Sequence, residues 1–133
     1  RDDLVTGVQT CALPIWKVPF IGLPGNPVAV LVTFMRFARP AILLLAGARV
    51  TEPLVYRVPT DFDIKKKEGR REWLRVSLER GPDGAPVLRK FPRDGAGILT
   101  SMVQTDGLVE LPEELTRLEA GTMVDFLPFS EFA

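Results

Sequence analysis

The sequence predicts a short α/β segment followed by an all-β domain, and three observations lead to this fold class. An apolar run, Lys17 to Leu23, ends at a Pro-Gly-Asn-Pro turn that opens a long apolar stretch. From Thr51 onward the apolar runs are short and are separated by Gly, Pro and Asp, as in all-β proteins. The 133 residues, 46% of them hydrophobic, suffice for one domain or for two smaller pieces.

The first fifteen residues, Arg1 to Ile15, fit neither the helical nor the strand pattern well. They also lack the basic start and apolar centre of a signal peptide. Their string VTGVQTCALPI resembles the in-frame translation of a sequencing adaptor. We therefore interpret residues 1–15 as a non-native segment joined to a gene fragment at about Trp16. A genuine edge strand is the alternative.

Residues 16–49 are predicted to form one buried strand and one helix. The strand is Lys17 to Leu23, and the helix begins at Pro27 with Asn26 as its N-cap. Pro40 is expected to kink or restart the helix, and Gly47 is expected to end it. The apolar residues at helical spacing are Val28, Leu31, Val32, Met35 and Ala38, widened by Val30, Phe34 and Phe37.

Residues 51–133 are predicted to form the β domain, and its clearest element is a hairpin. Alternating residues in Trp73 to Glu79 are followed by the turn Gly81-Pro82-Asp83-Gly84 and by a second strand, Pro86 to Phe91. Two further strands are expected at Gly107 to Leu111 and at Thr122 to Phe129. Between them, Pro112 to Leu118 is expected to form one or two helical turns.

The composition excludes several functions. Without His and with one Cys, the chain has no Ser-His-Asp triad, no His-ligated metal and no internal disulfide. Lys and Arg number 17, equal to Asp and Glu, so there is no general basic field and we expect no nucleic-acid partner. Arg36, Arg39 and Pro40 interrupt the apolar stretch from Val28 to Val50, so we expect no membrane span.

Three segments could bind an anion. The turn Pro24-Gly25-Asn26-Pro27 precedes a helix, whose N–H groups attract oxyanions, although a rigid turn and cap explains the same residues. Arg93-Asp94-Gly95-Ala96-Gly97 precedes the hydroxyls of Thr100 and Ser101, and a plain β-turn is the alternative there. A basic cluster is either a solvated loop or an anion contact: Lys65, Lys66, Lys67, Arg70 and Arg71. No cluster of closely spaced carboxylates that would bind a metal is visible.

Two blocks of the sequence resemble the MoeA family of molybdopterin molybdenumtransferases, which includes the E domain of gephyrin. The block KVPFIGLPGNPVAVLVTFMRFARPAILLLAGA is similar to the end of the family's molybdopterin-binding domain. The second block consists of the stretches DGAGILTSMVQTDGLVELPEE and LEAGTMVDFLPF, which resemble the family's C-terminal β domain, of the β-clip type, in the expected order.

The resemblance implies a function in molybdenum cofactor biosynthesis. Family members insert molybdate into adenylylated molybdopterin with Mg²⁺, are cytoplasmic, and act as homodimers. Gly25, Asn26 and Pro27 match the family's pterin-phosphate turn, which Pro24 shapes. Thr100 and Ser101 match its hydroxyl-bearing segment beside the cleft. The resemblance implies no catalytic or metal-binding residue within this chain, because the family's acidic residues lie upstream.

The resemblance also implies incompleteness. Ala29 stands where many relatives have Ser, so one possible hydroxyl contact is missing. The chain corresponds to roughly the C-terminal third of the family's proteins, and we expect it to be inactive alone, because the metal that would stabilise charge in the transition state is absent. We also expect residues 17–48 to expose a large apolar patch. The alternative function is a non-catalytic binding, dimer-assembly or scaffold module.

Overall fold

A computed structural model describes residues 12–15, 18–49, 52–92 and 100–132. The chain divides into two compact units between Glu52 and Pro53. The described part of the first unit begins with two antiparallel strands, β1 (Ala12–Ile15) and β2 (Val18–Ile21), in which Ala12 lies opposite Ile21. Strand β1 lies within Arg1 to Ile15, whose sequence fits neither the helical nor the strand pattern well and for which an edge strand was the alternative to a non-native segment.

The predicted strand at Lys17 to Leu23 is shorter than expected and is not buried. Its described part, β2, belongs to a two-stranded sheet, and the Phe20 side chain is 54% exposed. Two strands alone cannot enclose a core, which is why a sequence typical of a buried strand remains open to solvent.

The predicted helix begins and ends as expected but contains an irregular turn. Helix α1 (Pro27–Thr33) and helix α2 (Arg39–Leu45) are joined by a π-helical segment, Phe34–Ala38. The Arg39 backbone N–H donates to the Phe34 carbonyl, five residues back. Pro40 has no N–H with which to continue the regular α-helical pattern, so the predicted disruption at Pro40 is confirmed.

The helix ends in a Schellman motif. Gly47 has a φ of +80°, its N–H donates to the Leu44 carbonyl at 3.0 Å, and the Ala48 N–H donates to the Leu43 carbonyl at 2.9 Å. These two bonds satisfy carbonyls that the last helical turn would otherwise leave unpaired. The predicted C-cap at Gly47 is therefore confirmed.

Little of the helix between Pro27 and Leu45 is fully buried. Only Val28, Thr33 and Ala38 are buried, and Thr33 was not among the expected apolar positions. The exposed large apolar side chains of this unit are Phe20, Leu23, Phe34, Phe37, Ile42, Leu44 and Leu45. The stretch Pro27–Leu45 is also long and apolar enough to cross a membrane, despite its arginines. Core helices of water-soluble proteins have the same length and composition, so this finding does not by itself indicate a membrane span.

The second unit is mostly β and is built on a five-stranded antiparallel sheet. The strands follow the spatial order β3 (Tyr56–Pro59), β9 (Met123–Pro128), β7 (Gly107–Leu111), β5 (Glu72–Arg80) and β6 (Pro86–Lys90). The predicted hairpin is β5–β6, with Arg80 opposite Pro86. The other two predicted strands are β7 and β9, so all four strand predictions in this unit are confirmed.

The sheet curves until its two edges meet. Thr60 and Leu88 form a parallel bridge between the chain just after β3 and strand β6, and the Asp61 N–H donates to the Leu88 carbonyl at 2.9 Å. The sheet thus approaches a closed barrel and encloses one core. That core consists of Val58, Leu74, Val76, Leu88, Val109, Leu111, Leu118, Val124 and Phe126.

The segment Pro112 to Leu118 is not helical, contrary to the prediction. It forms a turn and then strand β8 (Arg117–Leu118), which pairs with β4 (Ile64–Lys65) in a separate two-stranded sheet. Burial of Leu118 in the core, at 3% exposure, favours the extended conformation here. Two short helices complete the unit: α3 (Thr100–Val103) and a 3₁₀ turn, Phe129–Phe132.

Candidate functional site

The Pro24-Gly25-Asn26-Pro27 turn lies in the first unit, where Asn26 is the N-cap of helix α1. Its side-chain Oδ1 accepts the backbone N–H of Val28 at 3.1 Å and that of Ala29 at 3.3 Å. The Asn26 carbonyl accepts the Val30 N–H at 2.8 Å. The predicted cap at Asn26, with Pro27 as the first helical residue, is confirmed.

This cap changes what the turn can offer to an anion. Pro27 has no N–H, and the next three backbone N–H groups already donate to Asn26. The helix N-terminus therefore has its positive dipole end but its first donors are satisfied. The side-chain amide of Asn26 still carries an NH₂ donor, and Gly25 is exposed with open space where a Cβ would stand. An anion at this turn would meet Asn26 itself rather than an uncapped helix.

The hydroxyl pair Thr100 and Ser101 lies in the second unit, in the one-turn helix α3. Thr100 is exposed, whereas Ser101 is fully buried. The accessible hydroxyl of the pair is therefore that of Thr100. The preceding residues Arg93 to Gly97, which were predicted to help bind an anion, lie outside the described residues.

Two members of the basic cluster, Lys66 and Arg71, form structural contacts. The Lys66 ammonium donates to the carbonyls of Arg70 and, at 3.4 Å, Glu113. The Arg71 guanidinium forms ion pairs with Glu110 at 2.6 Å and with Glu113 at 3.0 Å. Lys65 and Lys67 are exposed. These contacts favour a structural loop over an anion site for the cluster.

Charge pairing shifts the ionisation of this cluster. A hydrogen bond to the Glu113 carboxylate, followed by attraction to Glu110, raises the pKa of Arg71 above its ordinary value. The same hydrogen bond from Arg71 lowers the pKa of Glu113. Both side chains stay charged at neutral pH, so neither is suited to exchange protons with a substrate.

The described residues do not fit a metal site. Within residues 12–15, 18–49, 52–92 and 100–132, no group of three His, Cys, Asp or Glu side chains could hold a metal ion. Magnesium, which the family resemblance implies, therefore has no set of ligands in this part of the chain. No step of the function proposed below runs through a metal bound here.

Sequence analysis missed two polar residues that follow helix α3. Thr105 is 7% exposed, and its hydroxyl donates to the Ser101 carbonyl at 2.6 Å. Asp106 accepts the Leu78 backbone N–H at 2.8 Å through Oδ2. The Thr-Asp-Gly string before β7 is a signal for this turn chemistry, because Thr and Asp side chains bond readily to nearby backbone.

Comparison with known proteins places the second unit in a family. The family model described as the MoeA C-terminal region (domain IV) matches residues 57–129, more than half of the chain. This range contains helix α3 and all of the five-stranded sheet except Tyr56. The chain therefore belongs to the MoeA family, as a C-terminal domain of its domain IV type.

Individual proteins that are similar to this chain have names that agree with the family model. A molybdopterin molybdenumtransferase of Nostoc sp. is 36% identical over 110 residues, which cover 77% of this chain and 24% of the relative. One from Haemophilus influenzae is 29% identical over 84% of this chain and 28% of the relative. The crystal structure of a molybdopterin biosynthesis MoeA protein from Pyrococcus horikoshii OT3 superposes with a TM-score of 0.66 at 26% identity, covering 84% of this chain and 27% of that one. The chain thus spans about a quarter of the length of these relatives.

Proposed function

We propose that this chain is the C-terminal part of a cytoplasmic transferase that inserts molybdate into adenylylated molybdopterin. The observation that carries the proposal is the family match over residues 57–129, together with relatives named molybdopterin molybdenumtransferase. The chain spans only about a quarter of those relatives, and its described residues hold no metal cluster. On this proposal the 133-residue chain alone does not turn over substrate.

The proposal assigns the two units to two domains of the larger protein. Residues 16–49 are the last strand and helix of a molybdopterin-binding α/β domain. Residues 51–133 are the C-terminal β-clip domain of the larger protein. The exposed side chains of Phe37, Ile42 and Leu44 support this assignment, because a complete folded domain seldom exposes so much apolar surface. Residues 1–15 remain, on this proposal, a non-native segment.

Within the larger protein, the Pro24 to Pro27 turn binds the pterin phosphate. Asn26 caps the helix through Oδ1, and its NH₂ group is the donor that remains to meet phosphate oxygens. The positive end of the helix dipole adds to that attraction. Thr100, with its exposed hydroxyl, contacts an oxyanion of the substrate, and Ser101 supports it from the interior.

A scaffold or dimer-assembly module is the second candidate. It is favoured by one observation, which is that the cap bonds of Asn26 explain the turn without any ligand. Homodimer formation belongs to both candidates, so an assembly measurement alone does not separate them. Binding of the substrate at Asn26 does.

The test uses a chimera in which residues 18–133 replace the corresponding C-terminal region of the Nostoc relative, which supplies the upstream domains. Two variants separate the roles of Asn26. Asn26→Asp keeps a side-chain oxygen for the cap but removes the NH₂ donor and adds a negative charge. Asn26→Ala removes both functions and costs about 1 kcal/mol of helix stability.

Titration calorimetry with adenylylated molybdopterin measures the outcome. A phosphate-binding turn predicts at least a tenfold weaker affinity for Asn26→Asp, with the thermal melting temperature of the chimera unchanged. If Asn26→Asp binds as tightly as the unchanged chimera, the turn is only a cap. Loss of affinity confined to Asn26→Ala, together with a lower melting temperature, would likewise assign it a structural role.

A further inference from the structure

Helix α3 is a single turn and cannot hold its position by itself, so contacts with neighbouring residues must fix it. Isolated helices of this length are not stable in water. The Gln104 backbone N–H donates to the Thr100 carbonyl at 3.0 Å and closes the turn. Thr100 is exposed and Ser101 is buried, so the turn presents one hydroxyl outward and inserts its neighbour into the domain. Whatever anchors this turn decides where the Thr100 hydroxyl stands.

Thr105 supplies one anchor from inside the domain. Its hydroxyl donates to the Ser101 carbonyl at 2.6 Å, and the two residues are 7% and 0% exposed. A hydrogen bond in so dry a setting is stronger than one in water, and its loss is correspondingly costly. The bond joins the residue after Thr100 to the chain that leads into β7.

The residues around Thr105 are in turn bound to strand β5. The Ser77 hydroxyl donates to the Gln104 carbonyl at 3.2 Å, and the Asp106 N–H donates to the Val76 carbonyl at 3.0 Å. The Asp106 carboxylate accepts the Leu78 N–H at 2.8 Å. Residues on both sides of Thr105 are thereby held to strand β5, which contributes Leu74 and Val76 to the core.

We propose that Thr105 is a positioning residue, which holds helix α3 so that the Thr100 hydroxyl faces an oxyanion ligand. The inference rests on the proposed function, because that function makes Thr100 a ligand contact. Thr105 does not touch the ligand itself. It acts through the Ser101 carbonyl, and the bonds that its neighbours Gln104 and Asp106 form with strand β5 hold this part of the chain to the sheet.

The test compares three variants of the chimera. Thr105→Val removes the hydroxyl with little change of shape, and Thr105→Ser restores it. Thr60→Val is the matched control, because Thr60 is also buried, at 2%, and its hydroxyl donates to the carbonyls of Glu119 and Thr122. The probe is inorganic molybdate, titrated calorimetrically, and hydrogen exchange of the Gln104 amide reports on helix α3 without any ligand.

A positioning role predicts two results together. Thr105→Val weakens molybdate binding at least fivefold and speeds exchange of the Gln104 amide at least tenfold, whereas Thr105→Ser and Thr60→Val stay within twofold of the unchanged chimera. Unchanged Gln104 exchange in Thr105→Val would overturn the positioning role. So would unchanged molybdate affinity in that variant, even if its melting temperature fell.

Failure of the proposed function gives a different result. If the unchanged chimera binds no molybdate, Thr100 is not an oxyanion contact. Thr105 then cannot position Thr100 for a ligand, and the proposed positioning role is rejected. In that case faster Gln104 exchange in Thr105→Val would leave Thr105 a purely structural anchor of helix α3.

Discussion

Arg71 shows how a residue that looks available for a ligand is used by the fold. Its guanidinium donates through Nε and Nη2 to Glu113, an arrangement with two parallel bonds, and Nη1 pairs with Glu110. The sequence shows a run of basic residues, but the acidic residues that pair with Arg71 could not be predicted, because Glu110 and Glu113 lie about forty positions away. Contacts at such separations leave no local pattern to recognise.

This pairing predicts a pH dependence of stability. Arg71 lowers the pKa of Glu113 below its ordinary value of 4.5 in the folded state. The stabilisation is therefore present above the ordinary pKa and is lost as the pH falls through the lower, folded value. In Arg71→Met we expect the Glu113 carboxyl, followed by NMR titration, to return toward its ordinary pKa.

Urea unfolding between pH 7 and pH 3 gives the matching energetic measurement. The difference in free energy of unfolding between the unchanged protein and Arg71→Met should shrink as the solution becomes more acidic. Arg89→Met is the control, because Arg89 is a similarly exposed arginine that pairs with Asp61 and Glu79 instead. A Glu113 titration that shifts equally in both variants would contradict the assignment.

At the scale of elements, closure of the sheet makes a strand at its edge part of the core. Leu88 lies on β6, at the end of the strand order, yet it is fully buried because the chain after β3 bridges to it. In an open sheet an edge residue has a neighbouring strand on one side only. Here its side chain packs among Val58, Leu74 and the other core residues.

Leu88→Ala is therefore expected to cost about 3 kcal/mol of unfolding free energy, as for a residue in a central strand. Leu78→Ala on the neighbouring strand β5 is the matched control, since Leu78 is opposite Leu88 in the register but 44% exposed. Its expected cost is below about 1 kcal/mol. Urea denaturation measures both variants, and equal costs would show that the sheet is open in solution.

The elements that could be predicted from the sequence are those that local chemistry specifies. The β5–β6 hairpin has alternating residues and a turn in which Gly84 adopts a φ of +83°, so pattern and turn residues agree. Asn26 and Gly47 mark the two helix ends, because a helix cap depends on the residues next to it in the sequence. By contrast, β4 and β8 are two residues each and exist through pairing across more than fifty positions. A hydrophobic period cannot be recognised in two residues. Strand β8 was therefore not predicted, and Pro112 to Leu118 was predicted to be helical instead.

The candidate site was predictable only in part. Local spacing identified Asn26 and its turn, because capping depends on the next few residues. It also singled out Thr100 and Ser101, but could not tell which hydroxyl is exposed, since burial of Ser101 depends on the folded domain. The Thr105 bond was missed because the Thr-Asp-Gly string indicates only that these side chains bond to nearby backbone, and not that the acceptor is the buried Ser101 carbonyl.

At the scale of the whole molecule, the two units differ in how well they are enclosed. The second unit has a continuous core inside a nearly closed sheet, whereas the helix of the first exposes Phe37, Leu44 and Leu45, each above 60%. Seven large apolar side chains in the described part of residues 17–48 are exposed, which agrees with the apolar patch expected there. The proposed assignment of the first unit to part of an α/β domain would account for this contrast, and the chain spans about a quarter of the length of its relatives.

The most direct test of this account is turnover by the chimera that joins residues 18–133 to the upstream part of the Nostoc relative. Adenylylated molybdopterin and molybdate are supplied, and release of AMP is measured beside that of the intact relative and of the 133-residue chain alone. The account predicts that the chimera releases AMP and that the chain alone does not. A folded chimera that releases no AMP, or a 133-residue chain that turns over by itself, would contradict it.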